Sequence, residues 1–209
     1  MSRNPIIDML YGDAGCEEAH THSFKKGEMV FINISDTSET AMVLDGTVLI
    51  VNISSDGQKS ILDICRSGDA FGCGIFPKSG FDACCAIAKK DSVISFISYQ
   101  KLLDGCGKNC PVHSSLIDNF LGGAARRHAL HIDILSRRTI RDKLLVAFRL
   151  LLDPHRHTEQ KLPLSLSELA DYICCDRSAM MREIKRLNND RLISSHGSRI
   201  TFLKDISQL

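Results

Sequence analysis

Near the C-terminus, the stretch from Arg177 to Asn188 repeats Met180, Ile184 and Leu187 at helical steps, which turns Arg177, Ser178, Arg182, Lys185 and Arg186 to the opposite side. A helix of that kind has the chemistry to read DNA. The planar guanidinium fork matches the O6 and N7 acceptors of guanine, while lysine neutralises phosphate. A second grouping, Cys106, Cys110 and His113, has C-x3-C-x2-H spacing, which would bring two thiolates and an imidazole to one zinc or iron centre; the fourth ligand must come from elsewhere. A third is His20-x-His22 with Glu28, although Gly27-Glu28 also reads as a turn.

The charge pattern narrows these options. The 209 residues carry 26 Lys+Arg against 25 Asp+Glu, a formal net charge of +1, which on its own argues against one long basic face. The average conceals a split: residues 1–136 hold 12 basic and 16 acidic side chains, and residues 137–209 hold 14 and 9. An acidic front and a basic back imply two jobs. No uncharged apolar run is long enough for a membrane span, and the first residues lack the apolar core of a signal peptide, so a soluble cytoplasmic protein without a membrane partner is expected. Nine cysteines, an odd number including the adjacent pairs Cys84-Cys85 and Cys174-Cys175, read as reduced thiols rather than a disulfide framework.

Three kinds of element must position these groups. From Phe24 to about Tyr99 short β-rich runs (Met29 to Ile34, Met42 to Asp45, Thr47 to Ile53, Ser60 to Cys65, Ser92 to Ser98) alternate with Gly-containing turns, the pattern of an antiparallel barrel or sandwich. Asp45-Gly46 and Asp56-Gly57 read as hairpin turns. After Pro111 the period changes, and Ile117, Leu121, Ala124, His128, Ile132 and Leu135 fall on one face of a long helix. From Val112 to Leu135 that helix spans about 36 Å, too long for a small barrel to cover, so part of the stripe is expected to pack on a second copy. A further helix from Thr139 to Leu152 is followed by a polar loop. Next come a capping box at Ser165 and Glu168 opening a short helix, a tight turn at Cys174-Cys175-Asp176, the arginine-bearing helix, and a hairpin with its turn at His196-Gly197. Helix, turn, helix and hairpin make a winged helix-turn-helix.

The C-terminal run LPLSLSELADYICCDRSAMMREIKRLNNDRLISSHGSRITF resembles the DNA-binding end of the Crp/Fnr family of bacterial transcription regulators, and VLDGTVLIV, SGDAFG and GIF resemble that family's effector-binding β-roll. The resemblance implies an α+β fold: an N-terminal antiparallel β-roll (a cupin-like double-stranded β-helix) over residues 1–104, a dimerisation helix over 105–136, and a winged helix-turn-helix over 137–209. It implies a homodimeric regulator and no enzyme. The partners would be a near-palindromic operator in double-stranded DNA, a second copy of the chain, and RNA polymerase. By resemblance Arg177 and Arg182 fall on base-reading positions, with Ser178 where many members carry glutamate. Thr139, Ser165, Ser167, Lys185, Arg186, His196 and Gly197 fall at phosphate contacts. Cys174 stands where the family has glycine, at a cost of about 1 kcal/mol if its φ is positive. Asp176 stands where a small hydroxyl residue is common and still serves as an N-cap.

In the front half, cyclic-nucleotide-binding members hold the ribose with Phe-Gly-Glu and the phosphate with Arg-Ser. Here the frame reads Phe71-Gly72-Cys73 and Asp82-Ala83, which removes the ribose acceptor and places a carboxylate where the phosphate needs a cation. Arg126 and Arg127 stand on the long helix near the position of the base. The expectation is an effector other than cyclic AMP, such as an anion drawn by the arginine pair, with no cofactor required. Alternatives are a zinc, Fe-S or haem sensor using Cys106, Cys110, His113 or Cys73, and a cupin-type metalloenzyme, since His20, His22 and Glu28 resemble the first cupin metal motif. Against the last, the second cupin histidine motif is missing.

Overall fold

A computed structural model describes residues 19–34, 36–76, 83–104 and 111–206, with backbone alone for 111–116, 118 and 119. The chain forms two compact units, Met1–His128 and Ala129–Leu209.

The first unit is a β-roll of two four-stranded antiparallel sheets. One has the order β1 (His20–Phe24), β8 (Ser92–Ser98), β3 (Glu39–Asp45), β6 (Ala70–Gly72); the other runs β2 (Met29–Phe31), β7 (Cys84–Ala88), β4 (Thr47–Ile53), β5 (Lys59–Arg66). Ala41, Val43, Val48, Ile50, Phe71, Ile94 and Phe96 fill the space between them. Strand β3 is buried on both faces, because Met42 points the other way, onto Ile97, Leu102 and Phe120. Leu102 belongs to α1 (Tyr99–Asp104) and Phe120 to the long helix α2 (Pro111–Ser136), which together cover that sheet.

Some strands depart from the sequence expectation. Strands β1, β6 and β7 carry histidine, alanine and cysteine rather than a run of β-branched residues, and exist because neighbours complete their ladders. The Asp56-Gly57 turn does join a paired hairpin, β4 to β5. Asp45-Gly46 does not: β3 and β4 lie in different sheets, so the chain crosses between sheets there. Gly46 has φ +110, and a Cβ on it would meet Ser92 Oγ at 2.1 Å, so the crossing requires glycine. Between β4 and β5 the register slips, Ile50 facing Asp63 but Val51 facing Ile61, leaving Leu62 as an extra residue. Such a bulge re-aims the side chains beside it, and Asp63 is the one that matters below.

The second unit contains the end of α2, then α3 (Ile140–Leu151), α4 (Leu166–Tyr172), α5 (Arg177–Asn189) and a three-stranded sheet ordered β10 (Ile193–His196), β11 (Arg199–Phe202), β9 (Gln160–Lys161). Leu144, Phe148, Leu169, Ile173, Met180, Leu187, Ile200 and Phe202 are buried in it. Strand β9, read from sequence as polar loop, is two residues long and is held by β11. Among the described residues no helix is long and apolar enough to cross a membrane.

Candidate functional site

Helix α5 is fixed at both ends and behind. Asp176 accepts a hydrogen bond from the Ala179 amide at 2.8 Å, the expected N-cap. Before it, Ser165 and Glu168 form the expected capping box of α4. The turn between the two helices places Cys174 at φ +49, so the family's glycine position is indeed left-handed here. Lys143 of α3 donates to the Ile173 carbonyl at 3.1 Å and satisfies the end of α4. Two positioning residues had no sequence signal: Arg141 pairs across 42 and 49 positions, and Asn188 reaches seven residues on into the wing. Arg141 of α3 donates to Glu183 at 3.2 Å and to Asp190 at 2.6 Å, tying α3 to both the middle and the end of α5. Asn188 brackets Ser195 of the wing through two hydrogen bonds, at 2.7 and 2.8 Å.

These contacts leave one open face on α5. Arg177, Ser178, Met181, Arg182 and Lys185 are exposed, and the three cations among them form no ion pair or hydrogen bond with the described residues. Arg186 differs: its guanidinium donates to Glu183 at 3.1 Å. Thr139 and Ser165 are exposed but each caps a helix, Ser167 is exposed one residue into α4, and His196 and Gly197 form the exposed tip of the wing. The side chain that sequence reasoning overlooked is Met181, masked by its neighbour Met180, which is fully buried.

In the β-roll, the residues matching the nucleotide motif do other work. Phe71, expected at the effector pocket, is entirely buried in the core between the sheets. Gly72 has φ +104, and a Cβ there would meet the Glu39 carbonyl at 2.6 Å. Cys73 is buried, its carbonyl accepting from Thr40 Oγ1 at 2.9 Å. Ala83 is exposed and its carbonyl accepts from Ile53 at 2.9 Å; Asp82 lies outside the described residues. The cleft lined by Thr40, Cys73, Tyr99, Leu102, Ile117 and Phe120 is apolar and about 20 Å³, room for about one water.

The arginine pair is also corrected. Arg126 is exposed, but Arg127 turns into the roll. Its Nε donates to both oxygens of Asp63 at 3.1 and 3.0 Å, Nη1 to Asp69 at 2.8 Å, and Nη2 to the Ala70 carbonyl at 2.8 Å. The guanidinium is thus committed to two carboxylates and a carbonyl of its own roll, which balance its charge. Burial would push the Asp63 carboxyl up, but the adjoining His128 ring and the Arg127 charge outweigh it and hold the group below the ordinary carboxylate range. Nε2 of His128 is 3.6 Å from Asp63, and its ring stands edge-on to Phe76 at 5.2 Å.

His128 therefore faces its own roll, and Ala124 is only 4% exposed, so neither is a free dimer contact as the sequence stripe implied. Leu121, Ile132 and Leu135 are exposed, Ile132 at 65%, and Ile117 is partly buried against the roll. Ala125, exposed and unnoticed in the sequence, sits four residues after Leu121.

The metal proposals gain no geometry. His20 stacks on Phe96 at 5.4 Å and Glu28 accepts the Lys25 amide at 2.6 Å, so the cupin-like trio is spent on a strand and a turn. Among the described residues no three His, Cys, Asp or Glu side chains converge as a metal site. Cys106 and Cys110 lie outside the described residues, as does the side chain of His113. Burial pushes the Cys65 thiol well up and, with the neighbouring Cys85, takes Cys84 up to about 12; both stay protonated and unreactive.

Fold and site together combine a β-roll, a long helix and a winged helix-turn-helix whose second helix carries three cations without a partner among the described residues. Known proteins agree. The cyclic nucleotide-binding domain family matches residues 21–109. The cAMP-activated global transcriptional regulator CRP of Pasteurella multocida is 25% identical over 208 residues, covering 96% of this chain and 97% of that one. In fold, the chain is similar to a CooA variant from Carboxydothermus hydrogenoformans (TM-score 0.76, 16% identity, 100% of this chain and 95% of that one). It is also similar to the c-di-GMP responsive regulator CLP of Xanthomonas campestris (TM-score 0.71, 18% identity, 96% and 99%). Residues 21–109 thus match a cyclic nucleotide-binding domain, and nearly the whole chain is similar to a CRP-type transcriptional regulator.

Proposed function

We propose that this protein is a cytoplasmic, homodimeric, sequence-specific DNA-binding regulator whose β-roll answers to a signal other than cyclic AMP. The observation that carries the reading is the open face of α5, where Arg177, Arg182 and Lys185 have no partner among the described residues while Arg141, Glu183, Arg186 and Asp190 are paired. Arg177, Ser178 and Arg182 contact base edges. Thr139, Ser165, Ser167, Lys185, His196 and Gly197 contact phosphate, and Arg186 does so from its pair with Glu183. Residues 1–104 form the sensor, 105–136 the dimer helix and 137–209 the DNA-binding domain, with RNA polymerase as a further partner. Two copies joined along Leu121, Ala125, Ile132 and Leu135 would present their α5 helices to successive major grooves about 34 Å apart. Cys73 in place of the ribose-binding glutamate supports the exclusion of cyclic AMP, and the pairing of Arg127 with Asp63 and Asp69 argues that the signal is not an anion held by that residue.

The test is selection from a randomised duplex library, followed by anisotropy titration of the selected duplex. Wild-type protein is expected to bind a near-palindrome in a salt-dependent manner, and Arg182→Ala to lose that binding; undiminished binding by the variant would overturn the assignment of α5. Calorimetric titration with cyclic AMP is expected to show no heat of binding.

A further inference from the structure

The adjacent methionines of α5 are divided by the helix: Met180 is fully buried, whereas Met181 is 38% exposed and is the one large apolar side chain exposed on α5. At about 100° per residue Met181 sits between Arg177 and Lys185, one turn away in either direction, with Ser178 and Arg182 beside it. The span from Arg177 to Lys185 is about 12 Å, and Met181 is at its middle. An apolar, flexible thioether in the centre of an otherwise polar face has no hydrogen bond to offer a base edge. It offers apolar contact. The major groove presents one apolar group, the C5 methyl of thymine.

We propose that Met181 is a specificity-determining residue that reads a thymine methyl in each half-site, between the bases reached by Arg177 and Arg182. This rests on the DNA-binding reading above. Ser178, at the position beside it, lacks the carboxylate that would accept from cytosine N4, so discrimination at the centre of the half-site falls to the methyl contact.

The experiment uses the duplex selected by the full-length protein, with each thymine of one half-site replaced in turn by deoxyuridine, which removes the methyl and preserves every hydrogen-bonding group. Wild-type protein is expected to lose about fourfold in affinity at one position, the value of burying one methyl-sized group. Met181→Ser is expected to bind the unmodified duplex about fourfold more weakly and to be indifferent to deoxyuridine at that position, whereas Met181→Leu keeps the preference. Circular dichroism of the variants controls for folding. A wild-type protein indifferent to deoxyuridine everywhere, or a Met181→Ser variant that keeps the discrimination, overturns the proposal. Methyl insensitivity with binding still lost in Arg182→Ala sinks this inference alone; binding independent of Arg182 sinks both.

Discussion

Nε of Arg127 lies 3.1 and 3.0 Å from the two carboxylate oxygens of Asp63, joining the long helix to the middle of strand β5. The side chains are 17% and 5% exposed, so this is a buried ion pair, and its removal from one side leaves a charge without a partner. Arg127→Met is expected to destabilise the β-roll by about 3–5 kcal/mol. Urea unfolding followed by circular dichroism measures it, and Arg127→Met with Asp63→Leu should recover most of the loss. A double variant no more stable than the single one would show that the pair is not the source of the effect.

The same carboxylate sets an acid limit. Its pKa is lower in the folded protein than in the unfolded chain, so its contribution to stability is full above the unfolded value of about 3.9 and disappears as pH falls through the lower folded value. Stability against urea is therefore expected to drop with falling pH below about 4, and Asp63→Asn to flatten that slope while lowering stability at neutral pH. An unchanged slope in Asp63→Asn would assign the acid sensitivity to other groups.

Cys174 holds φ +49 without a glycine's freedom. Cys174→Gly is expected to stabilise the DNA-binding unit by about 1 kcal/mol, since the left-handed conformation costs a side-chain-bearing residue that much. Cys174→Val should destabilise it by more, because a β-branched side chain tolerates positive φ least. Thermal unfolding of the three proteins orders them; a valine variant as stable as the glycine variant would contradict the strain.

Lys185 and Arg186 are neighbours with different fates. Lys185 has no partner among the described residues, while Arg186 is tied to Glu183 at 3.1 Å. Lys185→Ala is expected to weaken binding evenly across sequences and to reduce the slope of log affinity against log salt by about one. Arg186→Ala should change that slope less, and equal changes in salt titrations of the two variants would count against the distinction.

Ile132 is 65% exposed on α2 and Leu135 is exposed one turn on. If a second copy covers them, Ile132→Asp is expected to shift the protein from dimer to monomer in sedimentation velocity at micromolar concentration and to abolish operator binding. A dimeric Ile132→Asp variant would place the interface elsewhere.

The amino-acid sequence by itself determined the caps at Ser165 and Asp176 and the arginine-bearing helix, because each is written in local periodicity or in residues three or four apart, and the α+β class followed from its resemblance to the Crp/Fnr regulators. The resemblance also singled out Cys174 as a glycine position, and the structure gives it φ +49. What tertiary structure alone decided depends on residues far apart in the chain. Asp63 reaches Arg127 across 64 positions through a bulged strand, which converts an apparent effector cation into an internal ion pair. Phe71 left the expected effector site for the core because both sheets close around it. Helical spacing cannot say which side of α2 the roll covers, and Ala124 and His128 of the apolar stripe are the ones packed within their own chain. Nor could it separate Met180 from Met181, since two adjacent apolar residues read alike until a core has claimed one of them.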